Sequence, residues 1–302
     1  MNRPPSRRWW PPPARRSLPS ASTAGLAATD ARVRRIRRLL NQRPVRRAEG
    51  AFVLEGANVV ATALAAGAEL EALYAAPGAE AACPDLLALA SARGLEVLWL
   101  AAGVLERVSD TVTPQPVLAV ARRRPAELRD LAGVDLVVVG VDVRDPGNAG
   151  TLVRSAEAAG AHGVVFCRGS VDVTNPKTVR ASAGALFHVP VVEGGDPQEV
   201  LGVLGDLGLV RMGASARGGV APDQADLTRP VALVFGNEAH GLSTDLGPSL
   251  DGLLTIPMPG RAESLNLGMA AAILLYEAHR QRRPGASSEM TGGPGVSPGM
   301  TG

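Results

Sequence analysis

Residues 136–154 read LVVVGVDVRDPGNAGTLVR, and this stretch decides the fold. The unbroken apolar run 136–139 suits a strand of a parallel sheet covered on both faces. A turn signal, Asp145-Pro146-Gly147, follows it, and then small and apolar residues at helical spacing over about 149–159. The same alternation continues down the chain. Strands are predicted at 163–167, 188–192, 209–214, 231–235 and 253–256, and helices at 176–185, 197–204 and 265–282. Such a pattern predicts an α/β fold with a mainly parallel sheet.

Upstream lies a second, smaller α/β pattern. Asp30 precedes a helix predicted over 31–40, where Val33, Ile36, Leu39 and Leu40 share one face and Arg residues stud the other. A strand at 52–54, a helix at 58–66 closed by Gly67, a strand at 70–74, a helix at 83–93 closed by Gly94 and a strand at 95–100 complete it, and the unit ends near 117–121. Arg122-Arg123-Arg124-Pro125 opens a polar connector. The expected organisation is a basic Pro/Arg-rich leader (1–28), a small domain (29–121), a linker (122–133), a larger domain (134–284) and a Gly/Ser/Pro-rich tail (285–302).

Of the 302 residues 46% are hydrophobic and 20% charged, which excludes a wholly disordered chain. No apolar run approaches the roughly 18 residues of a membrane helix. The net charge of +2 conceals an asymmetry: residues 1–50 hold 13 Arg against Asp30 and Glu49, a net of +11, and the remainder carries −9. A basic end suits a polyanionic partner, although basic tails also serve only for solubility. Cys83 and Cys167 lack partners at metal-ligand spacing, so neither zinc nor a disulfide is expected, and a reduced cytoplasmic setting follows. The Arg15-Arg16 pair has no apolar segment after it, which argues against a secretory signal and leaves a transit peptide or a misassigned start open.

The dinucleotide fingerprint G-x-G-x-x-G after a strand, the P-loop and the G-x-S-x-G elbow are all missing, which disfavours a nicotinamide-dependent oxidoreductase, the rival reading at the level of fold class. Three loops after buried strands instead gather glycines and functional side chains. In the first, Asn148 is placed to cap the next helix, Gly150 to admit a close approach or an anion, and Arg154 rides on the helix body. In the second, Phe235-Gly236-Asn237-Glu238-Ala239-His240-Gly241-Leu242, the glycines permit a backbone that folds around a ligand, and His240 reads as structural. In the third, Ile256-Pro257-Met258-Pro259-Gly260-Arg261-Ala262-Glu263-Ser264-Leu265-Asn266-Leu267, Ser264 is placed to cap the closing helix and Asn266 reads as buried. Taken singly, each loop is compatible with a plain turn and a capped helix.

Their order and combined spelling are more specific. N-x-G-x-x-x-R, then F-G-N-E-x-x-G-L, then I-P-M-x-G-x-x-E-S-L-N-L resembles the three motifs of the SpoU (TrmH-type) RNA ribose 2′-O-methyltransferases. The resemblance covers residues 134–283 closely. It extends more loosely to 31–121, where Phe52-Val53-Leu54-Glu55-Gly56 and Ala65-Ala66-Gly67 look like the family's L30e-like substrate-recognition domain. Leu267 stands where Val is more usual in the family.

The resemblance implies a C-terminal trefoil knot that binds S-adenosylmethionine through Gly236, Ile256 and Leu265. It implies that Asn148, Arg154, Glu238, Ser264 and Asn266 face the transferred methyl and the target ribose, and that the protein acts on RNA as a homodimer with the site near the subunit interface. Ribosomal RNA is the expected substrate; transfer RNA, or a non-catalytic RNA-binding homologue, is the alternative. Arg34, Arg35, Arg37 and Arg38 on the first helix are expected to grip RNA phosphates.

Overall fold

The computed structural model describes residues 25–109 and 114–283. The tail and most of the basic leader lie outside them. The described residues divide into two compact units, one of residues 25–42 with those described between 53 and 122, the other of residues 43–52 with 123–283.

In the first unit the helices are α1 (Ala31–Asn41), α3 (Ala57–Ala65), α4 (Ala79–Ala82), α5 (Pro84–Ala92) and α6 (Val104–Val108), while α2 (Arg43–Glu49) counts with the second. The strands β1 (Ala51–Glu55), β2 (Leu70–Ala75), β3 (Val97–Trp99) and β4 (Val117–Arg122) form a sheet in the order β1-β4-β2-β3. The Asp30 carboxylate caps α1 by accepting from the Arg32 N–H at 2.8 Å, and Val33, Ile36, Leu39 and Leu40 are buried on one stripe.

The second unit continues with β5 (Leu136–Gly140), α7 (Pro146–Ala158), β6 (Gly163–Phe166), α8 (Pro176–Ser182), β7 (Val191–Glu193), α9 (Pro197–Asp206), β8 (Val210–Ala214), β9 (Val231–Phe235), β10 (Gly252–Leu254) and α10 (Leu267–Gln281). Its six strands run in the order β10-β8-β9-β5-β6-β7, and every pair is parallel. Alternate residues feed two cores. Leu136, Val138, Phe166, Leu233 and Phe235 pack with Leu152, Val153, Leu274 and Leu275, whereas Val137, Val139, Val165, Ala232 and Val234 pack with Val200, Leu201 and Leu204. Helices therefore cover both faces, which is why the strands read as unbroken apolar runs. Each of the Val, Leu and Phe side chains contributes on the order of 1.5–3 kcal/mol on burial.

Residues 122–133, expected as a linker, carry a 3-10 turn at Leu128–Leu131; Leu131 is fully buried under Gly163, and Ala126 bridges to Val192. Two expectations change. The strand expected at 188–192 begins only at Val191, since Ala185–Phe187 forms a 3-10 turn and Pro190 offers no N–H. Gly150 admits a neighbouring helix and no anion, because a Cβ there would lie 2.5 Å from both the Ala181 Cβ and the Thr178 carbonyl oxygen of α8.

Candidate active site

In the parallel sheet β5 lies between β9 and β6, where the direction of winding reverses, so the loops leaving β5 and β9 emerge side by side at the carboxyl edge. The first carries Asp142 to Asn148 and the second Gly236 to Gly241. Asn237 joins them: its amide donates to the Asp142 carbonyl (3.0 Å) and carboxylate (3.2 Å), while its own oxygen accepts from the Ala239 and His240 N–H groups. Asp142 is left-handed at φ 53°, a conformation that Asp tolerates better than most residues.

Glu238 is the hub. Its two oxygens accept from the backbone N–H groups of Arg144 (3.1 Å) and Asp145 (3.0 Å), and one also accepts from the Asn148 side-chain amide at 3.2 Å. Asn148 in turn accepts from the Asn266 amide at 3.0 Å. A chain of three side chains, Glu238, Asn148 and Asn266, thus links all three loops. Partial burial alone would raise the Glu238 pKa, but the backbone N–H groups of Asp145 and Arg144, with the Asn148 amide, outweigh it and hold the carboxyl below its ordinary range. A carboxylate held so is a weaker base than a free one, and its bonds tie the loop after β9 to the loop after β5.

The caps differ from the expected ones. Asp145, and not Asn148, caps α7, accepting from the Asn148 N–H at 2.8 Å with Pro146 in the first turn. That leaves the Asn148 side chain for Glu238. Asn266, and not Ser264, caps α10 by accepting from the Gly268 N–H, and Asn266 is exposed where the sequence suggested burial. Ser264 is exposed and makes no hydrogen bond to the Glu238 chain. Arg154 is exposed too, and among the described residues its guanidinium has no hydrogen bond or ion pair.

Beneath the second and third loops lies a cavity of about 560 Å³. Gly236, Ile256 and Leu265 line it, as do Glu238 and Ser264, whereas Asn148 and Asn266 reach it only through their hydrogen bonds to Glu238 and to each other. Gly236 is required by space: a Cβ would meet the Gly241 carbonyl carbon at 2.2 Å and the Leu242 nitrogen at 2.4 Å. Gly241 is required by conformation, at φ 68°, and paired backbone hydrogen bonds between Asn237 and Gly241 (2.8 and 2.9 Å) close the loop. Leu242, Leu250 and Leu253 supply an apolar wall, and Asn237 and Ser215 supply polar atoms. Volume and lining both suit a nucleoside-containing ligand with a flat apolar base and polar edges. Sequence reasoning placed Asp145 in a turn and Asn237 in a loop without giving either a part in the site; their place in D-P-G and F-G-N-E, each soon after a buried strand, was the available signal.

Residues 135–276 match the model of the SpoU rRNA Methylase family, and residues 30–119 match the MRM3-like substrate binding domain. The 23S rRNA (uridine(2479)-2′-O)-methyltransferase of Streptomyces viridochromogenes is 31% identical over 271 residues, spanning 87% of this chain and 94% of that protein. The chain belongs to the SpoU rRNA methylase family. A relative from Bacillus subtilis, the 23S rRNA (guanosine(2553)-2′-O)-methyltransferase RlmP, is 36% identical over 183 residues, 61% of this chain and 72% of its own length. Among solved structures this SpoU methylase is similar to the AdoMet-bound rRNA methyltransferase from Sinorhizobium meliloti, with a TM-score of 0.76, 32% identity and coverage of 87% and 98% of the two chains. As a SpoU methylase this protein is an RNA 2′-O-methyltransferase whose cofactor is S-adenosylmethionine, and the cavity at Gly236 fits that cofactor in size and in chemistry.

Proposed function

We propose that this enzyme methylates a ribose 2′-hydroxyl of ribosomal RNA. The observation that carries the assignment is the hydrogen-bonded chain Glu238–Asn148–Asn266 at the mouth of a cavity of cofactor size, with the uncommitted Arg154 on the helix that bears Asn148. When bound, S-adenosylmethionine supplies an already activated methyl group. What the chain must add is alignment of the 2′-hydroxyl and help in losing its proton. Asn148 and Asn266, fixed by Glu238, orient the ribose, and Ser264 contributes a hydroxyl to the same wall. Arg154 holds the adjacent phosphate and stabilises the developing alkoxide, since a guanidinium is effectively always protonated. Glu238, a weakened base engaged by two backbone N–H groups, leaves water to take the proton. Arg154→Ala is expected to lower kcat by about 10²–10³-fold while the Kd for S-adenosylmethionine, measured by calorimetry, stays within twofold; parallel loss of both would remove Arg154 from this role.

We further assign the knot to the segment between β10 and α10, which lines the same cavity as the loops after β8 and β9. The first unit is proposed as an L30e-like RNA-recognition domain. On α1 the arginines are not equivalent: Arg35 is engaged with Glu71 at 2.5 Å and Arg37 donates to the Arg107 carbonyl, so Arg34, exposed with no such contact, is the best placed to reach a phosphate. The homodimer reading is supported by α10, whose Met269, Ile273 and Tyr276 form an exposed apolar stripe, with Met269 and Tyr276 each 59% exposed. Met269→Asp/Tyr276→Asp is expected to halve the mass seen by light scattering; an unchanged mass would place the dimer contact elsewhere. Two buried, unpaired thiols, Cys83 and Cys167, fit a reducing cytoplasm, and burial pushes the Cys167 pKa up to about 12.

A further inference from the structure

The second unit holds another cavity of about 510 Å³, lined by Arg43, Arg47 and Arg168 together with Ser170, Glu193 and Gly194. Arg43 and Arg47 stand four apart on one face of α2. Between them Arg46 turns the other way and is buried, its guanidinium donating at 2.7 and 2.9 Å to the equally buried Asp172. This buried ion pair holds α2 so that its other two arginines face the cavity. Arg168 follows β6, and its backbone N–H donates to the Gly195 carbonyl at 2.8 Å. Arg43, Arg47 and Arg168 are all exposed, and among the described residues none of their three guanidinium groups makes a hydrogen bond or salt bridge. The one acid in the lining, Glu193, is already paired with Arg123. Three arginines therefore line a cavity whose single acid is held by Arg123 and also feels the charge of Arg43, so positive charge is in excess there.

The cavity is tied to the methyl-transfer site. The Ser170 hydroxyl accepts from the Val143 N–H (3.2 Å) and donates to the Gly140 carbonyl (3.3 Å), and the Val171 N–H donates to the Val143 carbonyl at 2.8 Å. The segment carrying Arg168 is thereby stapled to the loop that carries Asp142 and Asn148. Both sites occupy the carboxyl edge of one sheet, on adjacent strands, which lie about 4.8 Å apart.

Resting on the rRNA-methylation reading, we propose that this arginine-lined cavity seats backbone phosphates of the substrate RNA next to the target nucleotide. The occupant is a phosphodiester chain because three cations spread over a cavity of this size suit successive phosphates, and because the site opens on the edge where the ribose must lie.

The test compares wild type with Arg43→Gln/Arg47→Gln/Arg168→Gln on an in-vitro 23S rRNA transcript. The expected result is a KM for RNA raised about tenfold or more, kcat at saturation within twofold, an unchanged Kd for S-adenosylmethionine, and a salt slope of RNA binding shallower by about 2, since each lost phosphate contact removes ~0.7. A control with Arg129→Gln/Arg229→Gln/Arg283→Gln removes the same charge elsewhere; an equal effect there would overturn the proposal, as would an unchanged slope. Competition by millimolar inorganic phosphate in wild type, with the slope unaltered in the variant, would reassign the cavity to a free anion. Should the triple variant melt early, Arg168→Gln alone carries the test through the same slope. Failure of wild type to methylate the transcript would instead count against the rRNA reading.

Discussion

Gly236→Ala is expected to weaken S-adenosylmethionine binding at least about a hundredfold, some 2.7 kcal/mol, and to abolish methyl transfer. The added Cβ would sit 2.2 Å from the Gly241 carbonyl carbon, 2.3 Å from its oxygen and 2.4 Å from the Leu242 nitrogen. All three are backbone atoms, so no rotamer change relieves the clash. The loop would have to open, breaking the paired Asn237–Gly241 hydrogen bonds and with them the hold of Asn237 on Asp142 and of Glu238 on Arg144 and Asp145. Calorimetric titration and the loss of a cofactor-induced melting shift would report it. Gly241→Ala supplies the contrast: its Cβ would meet nothing within 4 Å, and only the left-handed φ of 68° opposes it, a cost of about 1–2 kcal/mol. Cofactor affinity retained in Gly236→Ala would show that this loop does not close on the cofactor.

Arg46→Met is expected to destabilise the second unit by about 3–5 kcal/mol, or roughly 6–20 °C in melting temperature. The pair it breaks is buried, with side chains 5% and 6% exposed, and Asp172 would remain as an unpaired charge. Burial by itself raises the Asp172 pKa, yet the bonds from Thr174 and Arg46 outweigh it and bring the carboxyl below its ordinary 3.8. A depressed carboxylate contributes stability that is fully present above its unfolded pKa and lost as pH falls through the folded value. In the variant Asp172 protonates more readily, so the gap between wild type and variant should be widest at neutral pH and narrow as pH drops toward 4. A gap independent of pH in thermal melts would show that packing, and not charge, explains the loss. Because Arg46 also orients α2, the same variant should raise the KM for RNA, in line with the role assigned to Arg43 and Arg47.

Much of this molecule is legible in one dimension. Burial on both faces of a parallel sheet demands unbroken apolar strands, so Leu136 to Val139 and Val231 to Phe235 announce themselves. Turn residues after such strands mark where an α/β protein places its site, and the Glu238, Asn148 and Asn266 positions stand out on that ground. Less legible was which of two neighbouring polar residues does a given task. Asp145 and Asn148 both suit a helix cap, as do Ser264 and Asn266, and local sequence cannot choose between them.

The choice is made by partners far along the chain. Asn148 is released from capping because Glu238, ninety residues on, needs its amide, and Asn266 is drawn outward because Asn148 offers it an oxygen. The same holds for Gly150, small because α8 crosses it, and for Arg46, buried because Asp172 awaits it 126 positions later. Periodicity and turn chemistry are properties of a short segment and survive reading in one dimension. Hydrogen-bond assignment, steric closeness and ion pairing are properties of separations in space, and only the folded chain supplies those.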